Sequence, residues 1–94
     1  MKIVTREFAL FGLPNGRGHS RLGVTTTRKL GNAVTRNRAR RLVREAYRTH
    51  RGELPTGLDL VFVVRAPLLR CKPAELGPIM VGAATRLSKE SARA

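Results

Sequence analysis

Arg28-Lys29-Leu30-Gly31-Asn32-Ala33-Val34-Thr35-Arg36-Asn37-Arg38-Ala39-Arg40-Arg41-Leu42-Val43-Arg44-Glu45-Ala46-Tyr47-Arg48 is the stretch on which the reading turns. Gly31-Asn32 is a turn signal, and a helix is expected from about Thr35 to His50. At 100° per residue Ala39, Leu42, Val43, Ala46 and Tyr47 fall in one arc. Arg36, Asn37, Arg40, Arg41, Arg44 and Arg48 fill the rest. One face therefore packs on a sheet and the other is cationic. Nine of the nineteen basic residues lie between Arg28 and Arg51, against the single acid Glu45. Arg36, Arg40, Arg44 and Arg48 form an i,i+4 ladder of like charge, and each such pair destabilises a helix by a few tenths of a kcal/mol. That local cost points to an external anion. Guanidinium groups fork onto phosphate oxygens and stack on bases, and the Asn37 amide suits a phosphate or ribose contact.

Outward from this helix, Ile3 to Leu13 reads as one strand, with Phe8 and Leu10 on one face and Ala9 and Phe11 on the other. Leu13 to Gly18 is dense in turn residues, and Arg21 to Thr27 alternates again. The two runs most simply form an antiparallel hairpin. After the helix, Leu58 to Val64 is apolar at nearly every position, as expected of an inner strand covered on both faces. A last helix starts at Pro73 or Pro78 and runs to Lys89, with Ile79, Met80, Ala83, Ala84 and Leu87 buried. Gly77-Pro78 is a poor helix interior, so this helix either starts late or bends in its first turn. Ser91 to Ala94 are expected to fray. The order β-β-α-β-α describes an α+β domain, a two-layer sandwich of helices against a small mixed β-sheet.

Ninety-four residues make a single domain, residues 1–94. Fifteen of the basic residues are Arg, the acids number six, and the formal net charge is +13. Self-repulsion on that scale is most simply relieved by a polyanion. Nucleic acid is the first reading and an anionic membrane surface the second. No apolar run approaches the length of a membrane-spanning helix, and the N-terminus has no signal-peptide core. One cysteine allows no internal disulfide and fits a cytoplasmic location. The acids are scattered, and one Cys with two distant His makes no metal cluster, so neither catalytic residues nor a metal site is expected in this chain. Cys71 lies between Arg70 and Lys72, where positive charge can lower a thiol pKa, although an incidental thiol is the plainer reading. His50 fits a helix-end dipole contact, and Asp59 a structural role as acceptor for turn amides.

Lys29-x-Gly31-x-Ala33-Val34-x-Arg36-Asn37-Arg38-x-Arg40-Arg41-x-x-Arg44-Glu45 resembles the signature of the bacterial ribonuclease P protein component. Phe8-Ala9-Leu10-Phe11, Arg21-Leu22-Gly23-Val24 and Gly57-Leu58-Asp59-Leu60-Val61 resemble the family's flanking strands. The resemblance implies the protein subunit of a ribonucleoprotein endonuclease that removes the 5′ leader from precursor tRNA. It implies that the RNA subunit and its Mg²⁺ do the chemistry, with no cofactor held by the protein and no small-molecule substrate. It also implies a ribosomal-protein-like fold with a left-handed β-α-β crossover. The RNA-binding signature spans about residues 28–50, with Arg28, Lys29, Asn32, Arg36, Asn37, Arg38, Arg40, Arg41, Arg44 and Arg48 as contacts. By the same resemblance Phe11, Arg40 and Arg44 form a cleft for the precursor tRNA leader, Phe11 stacking on an unpaired base. The family normally begins with a basic segment and a helix before the first strand. Here Met1 falls almost at the strand, so one sheet face is expected to be open around Phe11. The alternative reading is a ribosomal or other structural RNA-binding protein, for which positive charge without this ordered spacing would suffice.

Overall fold

Four strands and two helices follow in the order β1 (Lys2–Val4), β2 (Phe8–Pro14), β3 (Arg21–Thr25), α1 (Ala33–Thr49), β4 (Leu58–Val64) and α2 (Pro73–Arg93). The computed structural model describes residues 1–93, with side chains through Glu90. The sheet order is β1-β2-β4-β3. β1 and β4 both run antiparallel to β2, and β3 runs parallel to β4. The α+β class stands, and α1 makes the crossover between parallel neighbours.

Three details of topology correct the sequence reading. The first run is two strands, giving β-β-β-α-β-α. Thr5 makes the break: its Oγ1 accepts from the N–H groups of Glu7 at 3.2 Å and Phe8 at 3.1 Å. This is a side-chain turn that needs neither Gly nor Pro. Second, β2 and β3 form no hairpin, because β4 lies between them. The turn-rich segment after β2 crosses the head of β4, where Asn15 N–H donates to the Gly57 carbonyl at 3.0 Å. Gly57 is in the left-handed region at φ 77°, which favours glycine. Third, β4 is central but covered on one face only. Leu58, Leu60, Phe62 and Val64 are buried, whereas Val61 is exposed and Asp59 and Val63 are half-buried.

Both helices lie on the inner face. α1 packs against β3 and α2, and α2 packs against β1 and β2. Phe8 and Phe62 meet edge to face at the centre, with ring centroids 5.0 Å apart. α1 buries Ala39, Val43, Ala46 and Tyr47, with Leu42 half-buried. α2 buries Leu76, Met80, Ala83, Ala84 and Leu87; Ile79 is only half-buried, and Leu76 replaces it in the expected stripe. Gly12 faces inward under Leu87, and a Cβ there would overlap the Leu87 side chain. The opposite sheet face is open, as expected: Val4, Phe11, Leu13 and Val61 are all exposed on it.

Gly77-Pro78 neither delays nor ends α2, which begins at Pro73. Pro78 is exposed in the second turn, and Gly77 is buried because the His50 ring lies against it. His50 Nδ1 donates to the Ala46 carbonyl at 3.1 Å, the acceptor fixing the tautomer, which holds the ring at the end of α1 where it lies against Gly77 of α2. Helical backbone runs on to Arg93, beyond the expected Lys89. The fraying expected of Ser91 to Ala94 concerns Ala94 and side chains that lie outside the described residues.

At the head of β4, Arg21 donates to both Asp59 oxygens, Nε to Oδ1 at 2.7 Å and Nη2 to Oδ2 at 2.6 Å. Asn15 Nδ2 adds a bond to Oδ1 at 3.0 Å. The Asp59 acceptors are thus filled by two side chains rather than by turn amides. The Arg21 bonds first, and the Asn15 bond second, hold the Asp59 carboxyl at about 2, below the ordinary 3.8.

Two expectations follow. Gly82 in α2 has open space at its Cβ position, so Gly82→Ala should stabilise by about 0.5–1 kcal/mol through helix propensity. Gly77→Ala should lack that gain because its Cβ meets the His50 ring, and should recover it in a His50→Ala background; chemical denaturation of wild type, the three single variants and the Gly77→Ala/His50→Ala double variant measures this. The depressed Asp59 pKa gives a stabilising contribution that is complete above about pH 4 and disappears as pH falls through about 2. Asp59→Asn should therefore lower stability at pH 7 and flatten the acid limb between pH 4 and 2, read from urea midpoints across that range.

Candidate nucleic-acid interface

α1 starts two residues earlier than the sequence indicated. Asn32 is its N-cap, with Oδ1 accepting from Thr35 N–H at 2.9 Å. The side-chain oxygen of Asn32 is thereby committed to the fold, and its amide nitrogen remains for an external acceptor. Arg28 and Lys29 lie on the single 3₁₀ turn just before this cap, both exposed. Gly31 joins turn and helix at φ 145°, where a Cβ would press on Thr35. That geometry explains Gly31-Asn32: the glycine permits the bend and the asparagine starts the helix.

Along α1 the arginines divide by engagement. Arg36 is half-buried and donates from Nη1 to the Gly31 carbonyl at 3.3 Å, which fastens the helix to the turn behind it. Arg40 is half-buried and donates to Asn37 Oδ1 at 3.0 Å, so these two expected RNA-binding residues are already paired with one another. Arg48 is held by Glu45, with Nη2 to Oε1 at 2.5 Å. The like-charge ladder is thus relieved at its C-terminal end. That bond lowers the Glu45 pKa and raises that of Arg48, each chiefly through the shared hydrogen bond. Arg38, Arg41 and Arg44 are exposed and make no side-chain hydrogen bond or ion pair among the described residues. They are the strongest cationic candidates on the face.

The residues expected in the leader cleft lie on different elements. Phe11 is on β2, on the open face, with Lys2 Nζ 5.6 Å from its ring centroid. Two strand spacings, roughly 10 Å, separate β2 from β3, the strand against which α1 packs. Arg40 and Arg44 project from α1. The structure shows one aromatic patch and one cationic helix rather than a closed pocket joining them. Lys2 was missed in the sequence; the signal for it is the β1 register, which sets Lys2 opposite Phe11. Val34 was also missed as a surface feature, and it is the most exposed large apolar side chain, at 76%.

The remaining titratable groups offer little chemistry. Cys71 is half-buried, and burial first, then the Glu7 and Glu75 carboxylates, push its thiol up. The direction is opposite to what Arg70 and Lys72 alone would produce, and it fits the plainer reading of an incidental thiol. Among the described residues no three His, Cys, Asp or Glu side chains are grouped to hold a metal ion. No described helix is long and apolar enough to cross a membrane.

Residues 1–88 match the family model described as Ribonuclease P. The ribonuclease P protein component of Pelotomaculum thermopropionicum is 40% identical over 75 residues, covering 78% of this chain and 67% of that protein. The corresponding protein of a Roseiflexus species is 52% identical over 56 residues, covering 60% and 46%. This chain spans about half to two thirds of the length of such curated relatives. Among solved structures, the ribonuclease P protein from Thermotoga maritima superimposes with a TM-score of 0.84 at 30% identity, covering 92% of this chain and 82% of that one. The ordered signature on α1, the four-stranded sheet beneath it and these likenesses agree, and the chain belongs to the ribonuclease P protein family.

Proposed function

We propose that this chain acts as the RNA-binding protein subunit of ribonuclease P. In this reading α1 docks on the catalytic RNA through Arg38, Arg41 and Arg44, with Arg28, Lys29 and Arg48 extending the interface. The observation that carries it is the exposed cationic face of α1, whose three unengaged guanidiniums sit in the family's signature. A net charge of +13 spread over so small a domain makes a polyanion the natural partner. The partners are then the ribonuclease P RNA and the precursor tRNA 5′ leader. The leader passes over the open sheet face, where Phe11 and Lys2 offer an aromatic ring and a cation to an unstacked nucleotide. Hydrolysis of the phosphodiester belongs to the RNA, and the Mg²⁺ it requires is held there. The protein's own residues bind, orient and neutralise phosphate charge. The setting is the bacterial cytoplasm.

Reconstitution tests this directly. Adding the protein to its cognate RNA subunit should lower the Mg²⁺ concentration needed to cleave precursor tRNA at the mature 5′ end, and the protein alone should cleave nothing. Cleavage by RNA-free protein would remove the reading.

The cationic face carries a separate expectation. Replacing Arg38, Arg41 and Arg44 with Ala should weaken binding to the RNA subunit and flatten its salt dependence. Each phosphate deprived of its arginine should reduce the slope of log affinity against log salt by about 0.7 to 0.9. Filter binding across a salt series measures the slope, and an unchanged slope in a folded variant places the interface elsewhere.

A further inference from the structure

Between α1 and the first residue of α2 runs a groove of about 400 Å³, lined by Val34, Arg38, Arg41, Leu42, Glu45 and Pro73. Its chemistry differs from that of the other flank of α1. There a groove of about 370 Å³ is lined by Asn37, four arginines and Glu45, with no apolar side chain. Here Val34 and Leu42 stand two turns apart on the helix, Pro73 faces them from α2, and together they make an apolar floor. Val34 is 76% exposed, so it gives the folded chain almost no burial. A β-branched residue is also a poor choice for helix propensity. Nothing in the packing of the described residues accounts for an apolar side chain there. Arg38 and Arg41 rim the floor, and neither forms an ion pair among the described residues. The one acid in the groove, Glu45, is engaged by Arg48 and leaves the two rim cations unneutralised.

An apolar floor between two free guanidiniums matches one kind of occupant. A purely apolar partner would leave both cations desolvated and unpaired, which is costly. A phosphate backbone alone would leave the floor unused. An unstacked nucleotide satisfies both, since its base presents an apolar face and its flanking phosphates are anions. RNA is recognised largely through such splayed-out bases. We propose that this groove seats one unstacked base of the RNA on Val34, Leu42 and Pro73, with Arg38 and Arg41 on the adjoining phosphates. The proposal rests on the reading that α1 docks on the RNA subunit, and it divides the helix into a flank that grips phosphate and a flank that also holds a base. Arg41 lines both grooves and so stands on the divide.

Salt separates the two kinds of interaction, because phosphate binding releases counterions and base packing does not. The test compares the wild-type protein with Val34→Ser and Val34→Lys in binding to the ribonuclease P RNA subunit over a salt series. Val34 is on the surface, and thermal melts of the free proteins establish that both variants fold. Val34→Ser should weaken binding about 5- to 10-fold at every salt concentration with the log–log slope unchanged. Val34→Lys should steepen the slope by up to about 0.9, yet bind more weakly than wild type at high salt, where the added charge is screened. If Val34→Ser binds as wild type and Val34→Lys binds more tightly throughout, the groove works by charge alone and the base seat is wrong. A wild-type protein that does not bind the RNA overturns this proposal together with the docking of α1. Wild-type binding with an indifferent Val34→Ser overturns this proposal only.

Discussion

Everything in the molecule depends on β4 being hydrogen-bonded along both edges. All seven of its residues pair with β2 on one side, and the five from Asp59 to Val63 pair with β3 on the other, so a strand late in the chain joins two that precede it. The register sets Leu60 beside both Gly12 and Leu22, and Phe62 beside both Leu10 and Val24. All of these point to the same side, and α1 and α2 close over them. The two helices cover one face of the four-stranded sheet, and the other face is exposed among the described residues. The cationic helix is held at the β3 side of this frame because α1 connects β3 to β4. The crossover that completes the sheet is therefore the same element that presents the arginines.

The charge distribution has a second consequence for how the domain holds together. Six acids cannot pair with nineteen cations, and three ion pairs are formed among the described residues. Two of them are placed where structure needs them. Arg21–Asp59 ties the edge strand β3 to the head of β4, and Arg48–Glu45 relieves one end of α1. The middle of α1 is left repulsive. Apolar packing of Ala39, Val43, Ala46 and Tyr47 holds that segment in place, aided by a hydrogen bond between Tyr47 and Ser20 in the interior. The helix is stable because of its buried face and available because of its exposed one.

Local signals were legible and pairings were not. The amphipathic division of α1 follows from side-chain period alone, and the buried set differs from expectation only at Leu42. The Asn32 cap was within reach, since Asn-x-x before an apolar periodic run is a helix start. The break at Thr5 hides because a hydroxyl, rather than Gly or Pro, makes the turn. The hairpin expectation failed for a different reason. Alternation tells which residues share a face but not which strand lies alongside, and the turn residues after β2 serve to cross β4 rather than to reverse the chain. The apolar outward positions Val61 and Val63 made β4 look covered on both faces, when they belong to the open face that also carries Phe11. Gly77-Pro78 misled because the glycine answers to His50, a residue far away in sequence. For the interface, charge pattern identified the helix, whereas which arginines are already engaged is a matter of partners that only the fold supplies.

The position of β4 also sets the order in which the chain can fold during synthesis. β2 and β3 are not neighbours in the sheet, so neither finds its native pairing partner in the other as they leave the ribosome. The β1–β2 ribbon can form, but a lone two-stranded ribbon is marginal in water. Phe8 and Leu10 have no cover until residues 58–64 emerge and the helices close over them. About two thirds of the chain is thus made before its centre can exist, and the pairings that then form are long-range and slow by nature. Through that interval the high positive charge has a use apart from any ligand. Like charges along the nascent segment keep neighbouring chains apart while its apolar residues wait for their missing strand.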